Sequence, residues 1–406
     1  AVSNIIYRKT KGNPLFVSRL MLSFNKDGLL RPSLSRGRWE WDEEKILSQK
    51  LPDDVAEFLT HSIEKLPEDV KSSLCILSCF GATSSITLIE MLERALGNNL
   101  VDSLDVAVSE GLLDKEDDQY RFSHDRIQEA AYDMMNVLDR CKFHFSYGMA
   151  LATLCVGEQE DSILLTAVNQ LNMAGPEAVQ HESQSAIVAN LNLRAGKKAM
   201  EMSDFEAAYS YFDNGISFLR KKHWKEHYTL SLELFNLAAK CALTNGDIVS
   251  LNLLSQQVLR MTQPFEDKLD VLYYTMCALA VSSKLPESIE KGLDILSKLG
   301  IELRGCESRG MAACVQETTD LLSAFTDDEI LNTRRMTDTT MIMAMKFLGK
   351  LETGMTQIMP ETAPYVAQRI IQLSVDHGMS PVSPIGFVHF GSYMAKLGDI
   401  RGATNM

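Results

Sequence analysis

Between residues 192 and 299 an apolar helical period is broken three times by a short polar turn, at Ser203–Asp204, at Asn245-Gly246-Asp247 and at Ser283–Pro286. The turns lie 43 and then about 38 residues apart. On either side of each turn apolar residues recur every three or four positions, the period of a helix that lies against a partner. Ala195, Ala199, Ala207 and Ala208 let backbones approach, and Tyr211 and Phe212 add an aromatic face. A helical hairpin of this kind cannot bury its apolar side alone, so neighbouring hairpins must stack. The pattern therefore predicts an α-solenoid, more loosely spaced than the ~34-residue tetratricopeptide unit. "YMAKLGDIRGA" reads as one more such turn, whereas 304–335 is less regular, with "TDDEILNTRR" as a loop or short helix.

The first third follows another plan. "KGNPLFVSRLMLSF" is a turn followed by an apolar-rich helix, with Pro14 well placed at its start. "LLRPSLSRGRWEWD" reads as an exposed hairpin or loop in which Trp39 and Trp41 alternate as in a strand. Four helices then follow in "DDVAEFLTHSIEKL", "EDVKSSLCILSCFG", "SSITLIEMLERALG" and "LVDSLDVAVSEGLL". Ser caps and Gly stops mark their ends. "LLDKEDDQYRFS" alternates about an acidic turn at Glu116–Asp118, as a hairpin does. Helices followed by a two-stranded wing predict a winged-helix domain. The fold class is mainly α: a winged-helix domain followed by a tetratricopeptide-like α-solenoid. The domains expected are 1–50, 51–138 and 139–406.

Composition narrows the function. The formal net charge is -14 with no long Lys/Arg run, which disfavours binding to nucleic acid or anionic membrane. The presumed recognition helix carries Asp102, Asp105 and Glu110 and no Lys or Arg, which argues against DNA-groove binding. No apolar run approaches the roughly 20 residues of a membrane span. The eight Cys are scattered, and Cys75 and Cys79 have no second pair nearby, so they read as reduced core thiols of a cytoplasmic protein. The chain starts at Ala1 and stops after a Gly-Asp turn, which reads as a piece of a longer polypeptide. His223 and His227 stand four apart, a spacing that can hold a metal, but no third ligand has useful spacing, and a solvated face is the better reading.

His124-Asp125-Arg126, in "YRFSHDRIQEAAYDMM", looks like chemistry. The kinase catalytic loop runs His-Arg-Asp with further motifs after it, and neither the order nor the motifs are present. "FSHD" echoes a phospho-accepting histidine box, yet no Pro follows and no glycine-rich ATP lid comes after. The plain alternative is a helix start: Ser123 is a good N-cap, and Asp125 and Glu129 suit the first turn. Gly12-Asn13-Pro14 is likewise ordinary turn chemistry before a helix.

"GNPLFV", "WEWD", "LPEDVKSSLCILSCFG" and "YRFSHDRIQEAAY", in that order and followed by the helical repeats and by "SVDHGMSPVSPIGFVHFG", resemble the STAND/AAA-type ATPase region of large multidomain signalling kinases. STAND denotes signal-transduction ATPases with numerous domains. The resemblance covers nearly the whole chain. It implies that 1–50 is the lid end of the ATPase, that Gly12, Asn13 and Pro14 face the adenine side of ATP or ADP, and that His124, with Asp125 beside it, faces the phosphates. It also implies a winged helix that holds the ADP-bound off state. Its partners are then other domains of the same polypeptide and other proteins, bound by the helical array. The chain departs from the pattern in having no GxxxxGK[ST] phosphate cradle and no acidic strand residue for Mg²⁺, so by itself it is not expected to hydrolyse ATP. A nucleotide-independent interaction scaffold is the alternative.

Overall fold

A computed structural model describes residues 2–33, 37–48, 55–154, 161–303 and 310–404. The tip of the first hairpin, the acidic pair Asp53–Asp54 and residues 304–309 lie outside that set. The chain forms two compact units, Ala1–Leu191 and Asn192–Met406.

The first unit opens with α1 (Val2–Thr10) and α2 (Pro14–Lys26), then the ribbon β1 (Leu30–Ser33) and β2 (Arg38–Trp41), and α3 (Glu43–Ser48). Asn13 caps α2 through its side-chain oxygen, which accepts from Phe16 N at 3.1 Å, and Pro14 takes the first helical position, where no N–H is missed. Ile5, Phe16, Leu20, Phe24, Leu30, Ile46 and Phe58 close a small core under these elements. β1 and β2 are antiparallel, with Leu30 opposite Trp41 and Pro32 opposite Trp39. Trp39 and Trp41 remain about half exposed.

After α4 (Val55–Glu64), the order is α5 (Glu68–Ser78), β3 (Thr83–Ser85), α6 (Ile86–Leu96), α7 (Leu100–Ser109), β4 (Leu113–Glu116) and β5 (Gln119–Phe122). The strands make one antiparallel sheet in the order β3-β5-β4. This is a winged helix. Ser85 caps α6, and Gly97 ends it in the left-handed region at φ 71°. The wing turns at Asp117, φ 48°, one residue inside the acidic turn expected from sequence. Then come α8 (Asp125–Asp133), α9 (Val137–Ala152), α10 (Asp161–Ala174) and α11 (Glu182–Glu201). The expected boundary at 138/139 falls inside the first compact unit, because α9 packs on both α10 and α6. The division between the units falls within α11.

The second unit pairs helices in sequence: α12 (Phe205–Phe218), α13 (His223–Glu226), α14 (Tyr228–Thr244), α15 (Ile248–Met261), α16 (Leu269–Val281), α17 (Leu285–Lys298), α18 (Met311–Leu322), α19 (Asp327–Leu331), α20 (Thr339–Ile358), α21 (Ala363–His377), α22 (Ser383–Lys396) and α23 (Ile400–Ala403). The fold is therefore mainly α, a winged helix followed by a tetratricopeptide-like array. Four turns repeat one backbone device. Ser203, Gly246, Ser283 and Gly398 all take positive φ, at 61°, 77°, 61° and 95°. In each, the next amide donates back five residues: Asp204 N to Ala199 O, Asp247 N to Ala242 O, Lys284 N to Leu279 O and Asp399 N to Met394 O. That closes the open carbonyls of the preceding helix. Asp204, Asp247 and Asp399 then cap the following helix with their side chains. The irregular 310–335 stretch contains α18 and the short α19, the latter fixed by a capping box between Thr326 and Glu329.

Candidate functional site

Helix α8 begins where the wing's last strand ends, and the sequence around it divides the labour between Ser123 and His124. The expected N-cap was Ser123; the structure gives that role to His124. His124 sits extended, and its Nδ1 accepts from Arg126 N at 3.1 Å. Ser123 is drawn away by a stronger competitor for its hydroxyl. Its Oγ reaches the carbonyls of Gly111 at 2.9 Å and Leu112 at 3.1 Å, and it accepts from Arg19 Nη2 at 2.8 Å.

Arg19 is the residue that sequence reasoning missed. It is the single cation in the apolar stretch "PLFVSRLMLSF" of α2, which is the signal that it has a buried task. Its guanidinium reaches the carbonyls of Glu110 and Gly111, just past the end of α7. A planar cation with five donors suits such open carbonyls and the negative end of a helix. Burial lowers the Arg19 pKa from its usual value, partly offset by the charge of Asp114. Lys26, two turns on, pairs with Glu110. The segment carrying the Gly12-Asn13-Pro14 turn is thus fastened to the base of the wing by α2.

His124 and Asp125 are exposed at the start of α8, with the imidazole held by its own helix. With Nδ1 accepting, the neutral ring carries its proton on Nε2, and among the described residues no protein group is bonded to that nitrogen. Arg126 is taken by Glu129 at 2.7 Å. The Gly12-Asn13-Pro14 turn is exposed and internally satisfied: Gly12 N donates to Thr10 Oγ1, Asn13 N to Thr10 O, and Asn13 Oδ1 caps α2. No hydrogen bond or ion pair among the described residues joins that turn to His124 or Asp125. As a nucleotide wall, these residues supply one outward N–H donor from His124 and an open turn, while the Asp125 carboxylate would repel a phosphate. They fit an accessory role beside a phosphate cradle and not a complete site.

The other candidates have structural occupations. His223 Nδ1 lies 2.8 Å from Ser231 Oγ, and its ring stacks on Phe235. Burial lowers its pKa, with His227 adding to the effect. α13 spans only four residues, and His227 is its C-cap, with its N–H donating to the His223 carbonyl. No group of three or more His, Cys, Asp or Glu among the described residues is placed to hold a metal ion. Cys75 donates to Ala131 O, and burial pushes the Cys79 thiol up to about 12, as for inert core thiols. On α7, Asp105 is held by Lys115 at 2.8 Å and by the hydroxyl of Tyr120 at 2.6 Å. Its carboxylate thus secures the wing. No helix among the described residues is long and apolar enough to cross a membrane.

No family model matches the chain. It is 19% identical over 365 residues to "Hybrid signal transduction histidine kinase G" of Dictyostelium discoideum, an alignment that covers 75% of this chain and 11% of that protein. The chain therefore spans about a tenth of the length of the curated relative it matches. Among solved structures it is similar to a signal-transduction ATPase with numerous domains and a tetratricopeptide repeat sensor from Pyrococcus horikoshii, at 12% identity and a TM-score of 0.32, covering 98% of this chain and 67% of that one. A score that low does not specify a shared fold.

Proposed function

We propose that this chain is a regulatory segment of a nucleotide-switched signalling ATPase linked to a protein kinase, acting inside the cell. In this reading the α1–α2 segment and the winged helix form one wall of an ATP/ADP site. Gly12, Asn13 and Pro14 lie on the adenine side. His124 donates from Nε2 to a phosphate oxygen, and Asp125 stands beside it at the sugar, since its charge excludes it from the phosphates. The phosphate cradle and the Mg²⁺ ligands come from another part of the polypeptide. The helical array binds protein partners or neighbouring domains. Nucleotide exchange and partner binding then bias one two-state element.

The observation that carries this reading is the His124 ring, fixed by its own helix with a donor left facing out. The rival reading, a nucleotide-independent scaffold, draws on the same bond, because capping alone explains the residue. Two substitutions in a polypeptide that includes an ATPase domain separate the two. His124→Asn keeps a good N-cap and removes the outward imidazole donor. The switch reading expects faster ADP release from His124→Asn with α8 intact by circular dichroism. ADP retention equal to wild type in both His124→Asn and His124→Ala leaves only the scaffold.

A further inference from the structure

Four polar groups between helices of the first unit form one chain. Tyr132, on α8, places its hydroxyl 2.9 Å from Nε2 of His144 on α9. Nδ1 of His144 meets Oε1 of Gln170, on α10, at 2.6 Å. Nε2 of Gln170 donates to the carbonyl of Cys79, at the end of α5, at 2.8 Å. His144 is 1% exposed and Gln170 4%. Two more bonds lead from α5 back to α8: Cys75 Sγ to Ala131 O at 3.3 Å, and Gln128 Nε2 to Ser78 O at 3.1 Å.

With a neutral imidazole, one proton arrangement satisfies every bond of this chain. A carbonyl only accepts, so Gln170 must turn its NH₂ to Cys79 and its oxygen to His144. Reversing the amide would set two acceptors 2.8 Å apart. Nδ1 of His144 must then donate. In the neutral ring Nε2 is left as an acceptor, and the Tyr132 hydroxyl donates to it. Each bond depends on the direction of the one before, and the two that Gln170 makes are buried. Arg140 lies over the Tyr132 ring, 4.5 Å from its centre, and bonds both the Met135 carbonyl and Asp133, covering the open end.

We propose that this chain is a proton-ordered clasp that makes α8, the α9–α10 hairpin and the end of α5 move as one body. The helix that begins at His124 cannot shift against the hairpin without stranding a buried donor or acceptor, so load placed on the hairpin is delivered to residue 124. The clasp rests on the hydrogen-bond geometry alone and holds whether or not a nucleotide is bound.

Two measurements on the whole chain test it. Nitrogen-15 spectra of the histidine rings, with His144 assigned by its loss in His144→Gln, should show a single neutral tautomer protonated on Nδ1. An Nε2-protonated ring, or one averaging both forms, overturns the proposal. Tyr132→Phe keeps the ring and removes only the hydroxyl. It should speed amide hydrogen exchange across 125–133 and 137–152 together, by about fivefold, while α14 keeps its wild-type rate. Faster exchange confined to one of the two helices, or none in either, overturns the coupling.

Discussion

The two compact units each hold a polar group between helices, and they do so in opposite ways. His144 in the first unit sits in a neutral chain in which His144 and Gln170 each accept on one side and donate on the other. In the second unit the centre is a carboxylate. Glu352 on α20 is fully buried, and its Oε1 collects His389 Nδ1 at 2.5 Å, the Tyr393 hydroxyl at 2.9 Å and Thr356 Oγ1 at 3.3 Å. Its Oε2 has no hydrogen-bond partner among the described residues. Burial, and then the Glu352 charge, raise the Tyr393 phenol above its ordinary range. A neutral chain can lose one link and strand a dipole. A charged hub that loses a link strands a charge, which is costlier in a medium of low polarity. The first unit uses directionality to hold helices in register, and the second uses one anion to draw α22 onto α20.

That contrast fixes an order of effects. His389→Ala should be the largest, destabilising by about 3 kcal/mol in urea unfolding, since it leaves the Glu352 carboxylate short of its main donor. A loss under about 1 kcal/mol, no more than removal of a neutral link, would erase the contrast. Gly196→Val comes next. A Cβ at Gly196 meets the ring of Phe212 at 2.4 Å, and that ring is fully buried and cannot yield. The cost should be about 2 kcal/mol, read from the same unfolding curves, and a melting temperature equal to wild type would mean that α11 and α12 are not closely packed at this point. Smaller and of opposite sign, Ser203→Gly and Ser283→Gly should each stabilise by about 0.5–1 kcal/mol, because both serines hold a left-handed backbone that Gly246 and Gly398 adopt freely. Destabilisation by either variant would show that the serine side chain contributes more than its backbone strain costs.

The smallest effect is on acid stability, in the wing. Bonds from Lys115 and Tyr120 lower the pKa of Asp105 below its usual 3.8. A carboxylate with a depressed folded value adds stability that is present above the unfolded value and is lost as pH falls through the folded one. Asp105→Asn should therefore flatten the loss of first-unit stability below about pH 4 and leave that of the second unit unchanged. An unaltered acid limb would assign that limb to other carboxylates.

The parts of this fold that were legible in the sequence share a short range. The α6 caps, the wing turn and the four repeated helix turns depend on residues within six positions of one another, so local chemistry settles them. α19 was open between loop and helix, and its capping box from Thr326 to Glu329 decided in favour of a helix. Of the candidate site, the helix start at His124 was legible, but its cap was assigned one residue early. Ser123 is the better cap in isolation, and the carbonyls of Gly111 and Leu112, with Arg19 from far along the chain, take its hydroxyl elsewhere.

Periodicity and turn chemistry thus determined a mainly helical chain, its winged helix and its helical pairs. The tertiary structure decided which polar side chains are used up and which are left to act. Arg19 went to the base of the wing, His144 to the clasp, Glu352 to the hub and Ser123 away from its helix, while His124 kept an outward nitrogen. The reason is physical. A helix or turn is fixed by bonds along a few residues of chain, whereas the partner of a buried polar group is whichever donor or acceptor packing brings within about 3 Å, at any distance along the sequence.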